Sequence, residues 1–433
     1  MTAELHPAPL DHPPGHTLAR PLLLARECRI KNRLVKSAMS EALADRDGAP
    51  NVLHETLYGR WADGGVGLCI TGNVMIDGDA IGEPGNVVVE DDRHMEALGR
   101  WAACGTRNGT QLWMQLNHPG KQAPKGLNRE TVSPSAVPFR PDLQAFFATP
   151  RELTDGEIEF IVQRFARAAG TARQAGFTGV QIHGAHGYLV SQFLSPHHNR
   201  RSDHWGGSAE NRRRFVMRVL AAIREEVGAT FPVGIKLNSA DFQRGGFGET
   251  ESLETLCALE QGGIDLIEIS GGTYEAPTMT GVGRDPVLRE STRLREAYFL
   301  DFAEKARQAV RVPLLLTGGF RSAEGMIRAI DSGAVDLVGL ARPLAIEPDL
   351  PARLLAGQPP LRRVQPIRTG IPHIDRSGLL EITWYTRQLK RLALGQPPRM
   401  NESALKVFAI NLFHNVRTLV AGGGRIGRRR SSE

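Results

Sequence analysis

Short apolar runs rich in β-branched residues recur along the chain. Each is followed by a glycine or polar turn and then by a stretch with apolar residues at three- and four-residue spacing. The first pattern is that of a strand buried on both faces, the second that of a helix with one apolar face. Eight strands are predicted, at Arg33–Lys36, Gly67–Thr71, Leu112–Leu116, Gly179–His183, Val233–Leu237, Leu266–Ile269, Leu314–Thr317 and Leu337–Gly339. The clearest helices fall at Asp155–Ala175, Ala209–Val227, Tyr298–Val310 and Ser322–Asp331. Thr154 and Ser208 stand where a side-chain oxygen caps the first turn of a helix, and Gly176 and Gly228 where a left-handed residue closes one. Alternating strand and helix units favour parallel pairing through right-handed crossovers, and eight of them close into a barrel. The expected fold is therefore α/β, a (β/α)₈ TIM barrel. A doubly wound sheet is the alternative, but no G-x-G-x-x-G follows the first strand.

The ends of the chain depart from this rhythm. Residues 1–20 carry Pro7, Pro9, Pro13 and Pro14 and read as an N-terminal arm. The barrel is assigned to residues 21–350 and a helical C-terminal extension to 351–433, where Pro359, Pro360, Pro366, Pro372, Pro397 and Pro398 separate short helices. The best candidates there are Leu379–Leu394 and Ser403–Val420. At 433 residues, 41% hydrophobic and 23% charged, the composition is that of an ordinary globular chain, and single barrels of this type reach over about 400 residues.

Charge and cysteine usage then narrow the function classes. Lys and Arg total 53 against 47 Asp and Glu, giving a net charge of +6, but the excess is diffuse apart from a basic tail, Arg425-Ile-Gly-Arg428-Arg429-Arg430. The tail reads as a solvated terminus, so no nucleic-acid partner is expected. Cys28, Cys69, Cys104 and Cys257 form no CxxC pair, which argues against a zinc ribbon or an iron–sulfur site and for a reducing compartment. No signal-peptide pattern opens the chain and no apolar run is long enough to span a bilayer, so a soluble cytoplasmic protein without a membrane partner is expected. A homo-oligomer stays open on sequence.

In a barrel of this kind chemistry sits at the C-terminal ends of the strands. Strand 7 runs into Thr317-Gly318-Gly319-Phe320 and strand 8 into Ala341-Arg342, a combination suited to a phosphate group, although Gly318-Gly319 can equally be a tight turn. Strand 4 ends in His183-Gly-Ala-His186-Gly-Tyr188. As neutral donors the two imidazoles can hold a carbonyl or phenolate oxygen while the Tyr188 phenol supplies a proton. Two His at this spacing can instead hold a metal, but no further ligand stands at another strand end with obvious spacing, and no metal is assigned. Strand 5 ends in Lys236-Leu-Asn238, and an inward ammonium needs an anion or strong acceptor, with Asp241 or Glu268 as alternative salt-bridge partners. Gln115 closes strand 3, where its amide can pair with a heteroaromatic ring edge or cap the barrel.

The segments Lys31-Asn-Arg-Leu-Val-Lys-Ser37-Ala38-Met39-Ser40, Gln115-Leu-Asn-His-Pro-Gly-Lys121, His183 to Pro196, Asn199 to Arg212 and Thr317 to Phe320, in this order, resemble the Old Yellow Enzyme family over roughly residues 20–350. The resemblance implies FMN at the barrel mouth, reduced by NADH or NADPH. It implies Ser37, Ala38 and Met39 lining the flavin and Ser40 on its O4/N5 edge. Gly72 would stand beside the ring, Gln115 on the pyrimidine edge and Lys236 facing N1 and O2. Gly318, Gly319, Phe320, Ala341 and Arg342 would hold the phosphate. His183 and His186 would bind the carbonyl oxygen of an α,β-unsaturated acceptor, and Tyr188 would donate the proton, giving an ene-reductase. An amine or alcohol dehydrogenase is the close variant, and a metal-dependent hydrolase using His183 and His186 the alternative from another class. The chain departs from the family at three positions: Lys236 stands where Arg is common, Ser40 where Thr or Cys is common, and Ala42 where some relatives carry Tyr. Larger relatives carry a cysteine run for a 4Fe–4S cluster after the barrel. This chain has no cysteine beyond Cys257, so no cluster is expected.

Overall fold

The computed structural model describes residues 15–272, 299–371, 375 and 379–410. Eight parallel strands form a closed barrel: β1 Leu34–Lys36, β2 Leu68–Met75, β3 Gln111–Asn117, β4 Gly179–Gly184, β5 Val233–Asn238, β6 Leu266–Ser270, β7 Leu314–Thr317 and β8 Leu337–Leu340. Each pairs with its neighbours in chain order, and β1 closes the ring by pairing with β8 (Val338 beside Leu34) and β2 (Val35 beside Leu68). The helices that follow the strands are α1 Val52–Asp63, α2 Met95–Gly105, α3 Asp155–Gln174, α4 Ala209–Val227, α5 Glu249–Gln261, α6 Leu300–Ala309 and α7 Ala323–Asp331. All eight expected strands are present within a few residues. The expected TIM barrel is the fold.

The caps expected from sequence are formed. Thr154 Oγ1 accepts from the Glu157 N–H, and the Glu157 carboxylate accepts from the Thr154 N–H, closing a capping box. Ser208 caps α4 on the Asn211 N–H, and Gly176 and Gly228 take φ of +92° and +75° at the two C-termini. One strand runs further than expected: β2 continues to Met75 through an irregularity between Ile70 and Asn73. Gly72 interrupts its apolar run, and a Cβ there would collide with the Glu41 carboxylate and the Met39 carbonyl.

The N-terminal arm is less loose than its prolines imply. Gly15–Ala19 is helical, Leu18 is buried, and Thr17 Oγ1 donates to Asp331 Oδ1 at 3.0 Å. The prolines all precede this turn, so they do not break it. After β8 the chain forms short helices at Arg342–Ile346 and Leu350–Leu355, then α8 Leu379–Ala393, whose Trp384, Leu389 and Leu392 are buried. Residues 404–410 are helical, matching the start of the expected Ser403–Val420 helix; its remainder and the basic tail lie outside the described residues. All four cysteines are free thiols. Among the described residues no helix is long and apolar enough to cross a membrane.

The barrel interior is layered by the two-residue period of its strands. Val35, Leu68, Ile70, Trp113, Leu266, Leu315 and Leu337 form an apolar floor, closed from below by Leu24 and Ile30. Trp113 fills its centre against Gly179 and Gly234, where any Cβ would overlap the indole. Two residues further along the strands the interior turns polar: Ser37, Gln115, Gln181, Lys236, Glu268 and Thr317 are all at the mouth. The apolar floor thus carries a polar layer whose members must satisfy one another.

Candidate active site

The polar layer is a continuous network. Gln115 Nε2 donates to Gln181 Oε1 at 2.7 Å, and Gln181 Nε2 donates to Glu268 Oε2 at 2.8 Å. Glu268 Oε1 accepts from Thr317 Oγ1 at 2.7 Å and pairs with Lys236 Nζ at 3.1 Å. Thr317 Oγ1 is 2.7 Å from Ser37 Oγ. Gly339 leaves room for this last contact, since a Cβ there would collide with both hydroxyls. Of the two salt bridges expected for Lys236, the one to Glu268 forms. Asp241 instead accepts from Asn238 Nδ2 and from the Phe247 N–H. Lys236 and Glu268 are 4% and 0% exposed, so each is the other's main compensation for lost water.

One layer higher stands the cluster at the end of β4. The rings of His183 and His186 are 5.2 Å apart and those of His183 and Tyr188 4.7 Å. His183 Nδ1 accepts from the Ala185 N–H at 3.3 Å, which leaves the proton on Nε2 and makes that nitrogen a donor. His186 takes φ of +63°, unusual for a residue with a Cβ, and its N–H is held by Asn238 Oδ1 at 3.2 Å. Its Nε2 lies 2.8 Å from Ser270 Oγ at the end of β6. Burial first, and the neighbouring Lys236, hold both imidazoles well below their ordinary value, so both are neutral near pH 7. The Tyr188 hydroxyl accepts from Asn73 Nδ2 at 3.2 Å. Among the described residues no group of three or more His, Cys, Asp or Glu side chains is placed to hold a metal ion.

A second buried group lies behind β1 and β2. Lys36 Nζ is 3.2 Å from Glu41 Oε1 and packs 4.4 Å from the Trp61 ring centre. The same carboxylate accepts from Tyr58 OH at 2.5 Å and from the Gly72 N–H at 3.2 Å. Through Lys36 and the Gly72 N–H it ties the end of β1 to β2. Ser40 Oγ donates to Glu83, whose carboxyl burial pushes up to about 7. On the opposite side Gly318 and Gly319 take φ of +119° and +92°, values that side chains disfavour, so the turn after β7 keeps bare backbone toward the mouth. Arg342 is engaged by the extension: its Nη1 is 2.6 Å from Glu381 Oε2 on α8. From the same helix Thr386 Oγ1 donates to the Ser40 carbonyl at 3.2 Å.

This donor set fits a flavin mononucleotide. It offers a primary amide and a paired cation in the polar layer, a glycine turn and an arginine at the β7–β8 corner, and a neutral His pair above. The residues expected from sequence at the strand ends, Gln115, His183, His186, Tyr188 and Lys236, lie together at the mouth, whereas Gln181, Asn73 and Ser270 were not expected there and Glu268 was expected only as a salt-bridge alternative. Counting back two positions from His183 and Ser270 gives Gln181 and Glu268, so strand alternation carried the signal for the network.

A TIM barrel with such a mouth is the architecture of a flavin-dependent oxidoreductase. The chain belongs to the NADH:flavin oxidoreductase / NADH oxidase family, whose model matches residues 18–360. It is 39% identical over 355 residues to the NADH-dependent flavin oxidoreductase iliE of Hypocrea jecorina (strain QM6a), covering 77% of this chain and 88% of that one. It is 38% identical over 410 residues to the NADH-dependent flavin oxidoreductase iccE of Talaromyces variabilis, covering 87% and 98%. Among solved structures it resembles morphinone reductase, with a TM-score of 0.68 and 26% identity over 81% of this chain and 91% of that one. A 2-naphthoyl-CoA reductase complex gives 0.72 and 27% identity over 79% of this chain, but only 52% of the larger chain.

Proposed function

We propose that the protein is an FMN-dependent NAD(P)H oxidoreductase that reduces the C=C bond of an α,β-unsaturated carbonyl compound. The observation that carries this reading is the convergence, at one barrel mouth, of the neutral His183–His186 pair with the Tyr188 phenol above the Gln115–Lys236 layer. Bound FMN would supply the hydride chemistry, accepting hydride from the nicotinamide and releasing it to the β-carbon of the acceptor. The protein's side chains do the rest. Ser37, Ala38, Met39, Ser40 and Gly72 line the ring. Gln115 and Lys236 meet its pyrimidine edge, and Gly318, Gly319, Phe320, Ala341 and Arg342 take the phosphate.

His183 and His186 donate to the carbonyl oxygen, drawing electron density away from the β-carbon. They do so as neutral imidazoles, held uncharged by burial, with the Ala185 N–H on Nδ1 of His183 and Ser270 beside Nε2 of His186. Tyr188 delivers a proton to the α-carbon, so the substrate gains one hydride and one proton while the nicotinamide loses a hydride. The names of the relatives support the reductive direction and a nicotinamide donor: NADH-dependent flavin oxidoreductase, morphinone reductase and NADPH dehydrogenase.

The test is an absorbance spectrum of the purified protein followed by anaerobic NADH or NADPH and then 2-cyclohexenone. Flavin bands that bleach with the nicotinamide and return with the enone are expected. Bleaching without recovery removes the enone as acceptor, and a colourless protein that takes up no FMN overturns the reading.

A further inference from the structure

We propose that Glu268 is a positioning residue that orients the Gln115 amide through Gln181 and shares the charge of Lys236, thereby setting the affinity and the potential of the flavin. The proposal rests on the preceding reading only in placing a flavin's pyrimidine edge against Gln115 and Lys236.

The first half follows from what each group can donate. A carboxylate has no hydrogen to give, so Gln181 must turn its NH₂ toward Glu268, and it does so at 2.8 Å. The Gln181 oxygen then faces Gln115 and can only accept, so Gln115 must present its own NH₂ there, at 2.7 Å. Two amides that are chemically free to flip are therefore locked in one sense by a single acceptor-only group at the end of the row. The free half of the Gln115 amide shows the mouth one N–H and one carbonyl oxygen in fixed order. That order complements a ring edge on which a carbonyl stands beside an N–H, as on the pyrimidine edge of a flavin. The reverse order would set donor against donor.

The second half follows from charge. Lys236 and Glu268 are both buried and 3.1 Å apart, so the field that Lys236 projects into the mouth is that of an ion pair, not of a lone ammonium. Two-electron reduction of a flavin concentrates negative charge at its N1–C2 edge. An unshared cation there would favour the reduced form strongly; the shared one favours it less. Thr317, itself held by Ser37, donates to the same carboxylate oxygen that Lys236 pairs with, and Gln181 donates to the other, so both oxygens of Glu268 are fixed.

Glu268→Gln keeps the shape and removes both effects. Wild-type, Glu268→Gln and Glu268→Asp holoproteins are to be compared by FMN dissociation constant and by anaerobic midpoint potential against an indicator dye. Glu268→Gln is expected to bind oxidised FMN at least about tenfold more weakly and to raise the reduced-over-oxidised affinity ratio at least about tenfold, about 30 mV for a two-electron couple. Glu268→Asp, which keeps the charge, is expected to keep the wild-type potential. A Glu268→Gln protein with wild-type affinity and potential overturns the proposal, as do Gln and Asp variants that shift the potential equally. If Glu268→Gln does not fold, Gln181→Met breaks the amide row while leaving the ion pair. It should weaken FMN binding at least about tenfold at unchanged potential, and unchanged affinity overturns the orienting role. A wild-type protein that binds no FMN would instead overturn the flavin reading itself.

Discussion

The Tyr188 hydroxyl accepts a hydrogen bond from Asn73, and an oxygen that accepts there keeps its own hydrogen for another partner. Under the proposed function that hydrogen is the one delivered to the acceptor. Tyr188→Phe removes that hydrogen and the acceptor of the Asn73 bond but keeps the ring, so flavin reduction by NADH should proceed at the wild-type rate while reoxidation by 2-cyclohexenone slows by about 10²-fold or more. Stopped-flow traces of the two half-reactions separate these effects, and wild-type reoxidation would remove Tyr188 from the chemistry. At this scale the sequence is legible for the residues proposed to meet ligand, because His183, His186, Tyr188, Gln115 and Lys236 are odd choices for strand ends that only pack. Residues that act through others leave a fainter trace. Gln181 sits in an apolar run where any single polar residue looks like an exception, and Ser270 and Asn73 acquire meaning only once the closed barrel brings the ends of β2, β4 and β6 to one mouth.

The elements tell a similar story. Strands were legible because both faces are buried and the runs are continuously apolar. The helices differ. α3 and α4 are long and capped, whereas α1 and α5 mix polar and apolar residues around much of their circumference, and α2, though its apolar face is clear, is short, lacks a side-chain cap and carries Gly99 in its middle. Their formation owes more to packing on the barrel than to local pattern. The helix with most to say about the site is α8, which lies outside the barrel in sequence yet contacts both Arg342 and the Ser40 carbonyl. Trp384 anchors it, with its side chain buried and Nε1 donating to the Glu402 carbonyl at 3.1 Å. Trp384→Ala should therefore lower the unfolding free energy by about 3–5 kcal/mol, measured by urea titration. A loss under about 0.5 kcal/mol, the range of an ordinary surface substitution, would mean that α8 is not integral to the fold.

For the whole molecule the decisive electrostatic feature is a set of buried, neutral imidazoles. His54, His118, His183, His186 and His198 all lie below their ordinary value of 6.5, His54 at about 4 and His118 at about 3, with burial the leading cause in each. Once unfolded, each takes up a proton near pH 6.5; folded, each resists until far lower pH. The unfolded state therefore binds more protons below pH 6.5, and these histidines destabilise the fold as pH falls from about 6.5 toward 4. Glu83, raised to about 7, and Asp241, also raised, act in the opposite sense, because the folded state holds protons that the unfolded chain releases. Five imidazoles outweigh two carboxyls. The urea midpoint should fall steadily between pH 6.5 and 5, with each unopposed imidazole contributing up to about 1.4 kcal/mol per pH unit. A flat profile over that range would contradict neutral burial.

The seam of the barrel carries one more consequence. Strand β1 is only three residues long, it pairs with β8 across most of the chain, and the segment Ser37–Ser40 follows it directly. On a ribosome, Leu34 is made long before Val338 exists to pair with it. At ordinary synthesis rates of about 5–20 residues per second the wait is roughly 15–60 s. During that time the early strands and helices can form, but the shelf on which a flavin would rest lacks one wall. Cofactor capture is then among the last events in the life of the nascent chain, and a product cut short before β8 has nowhere to seat it.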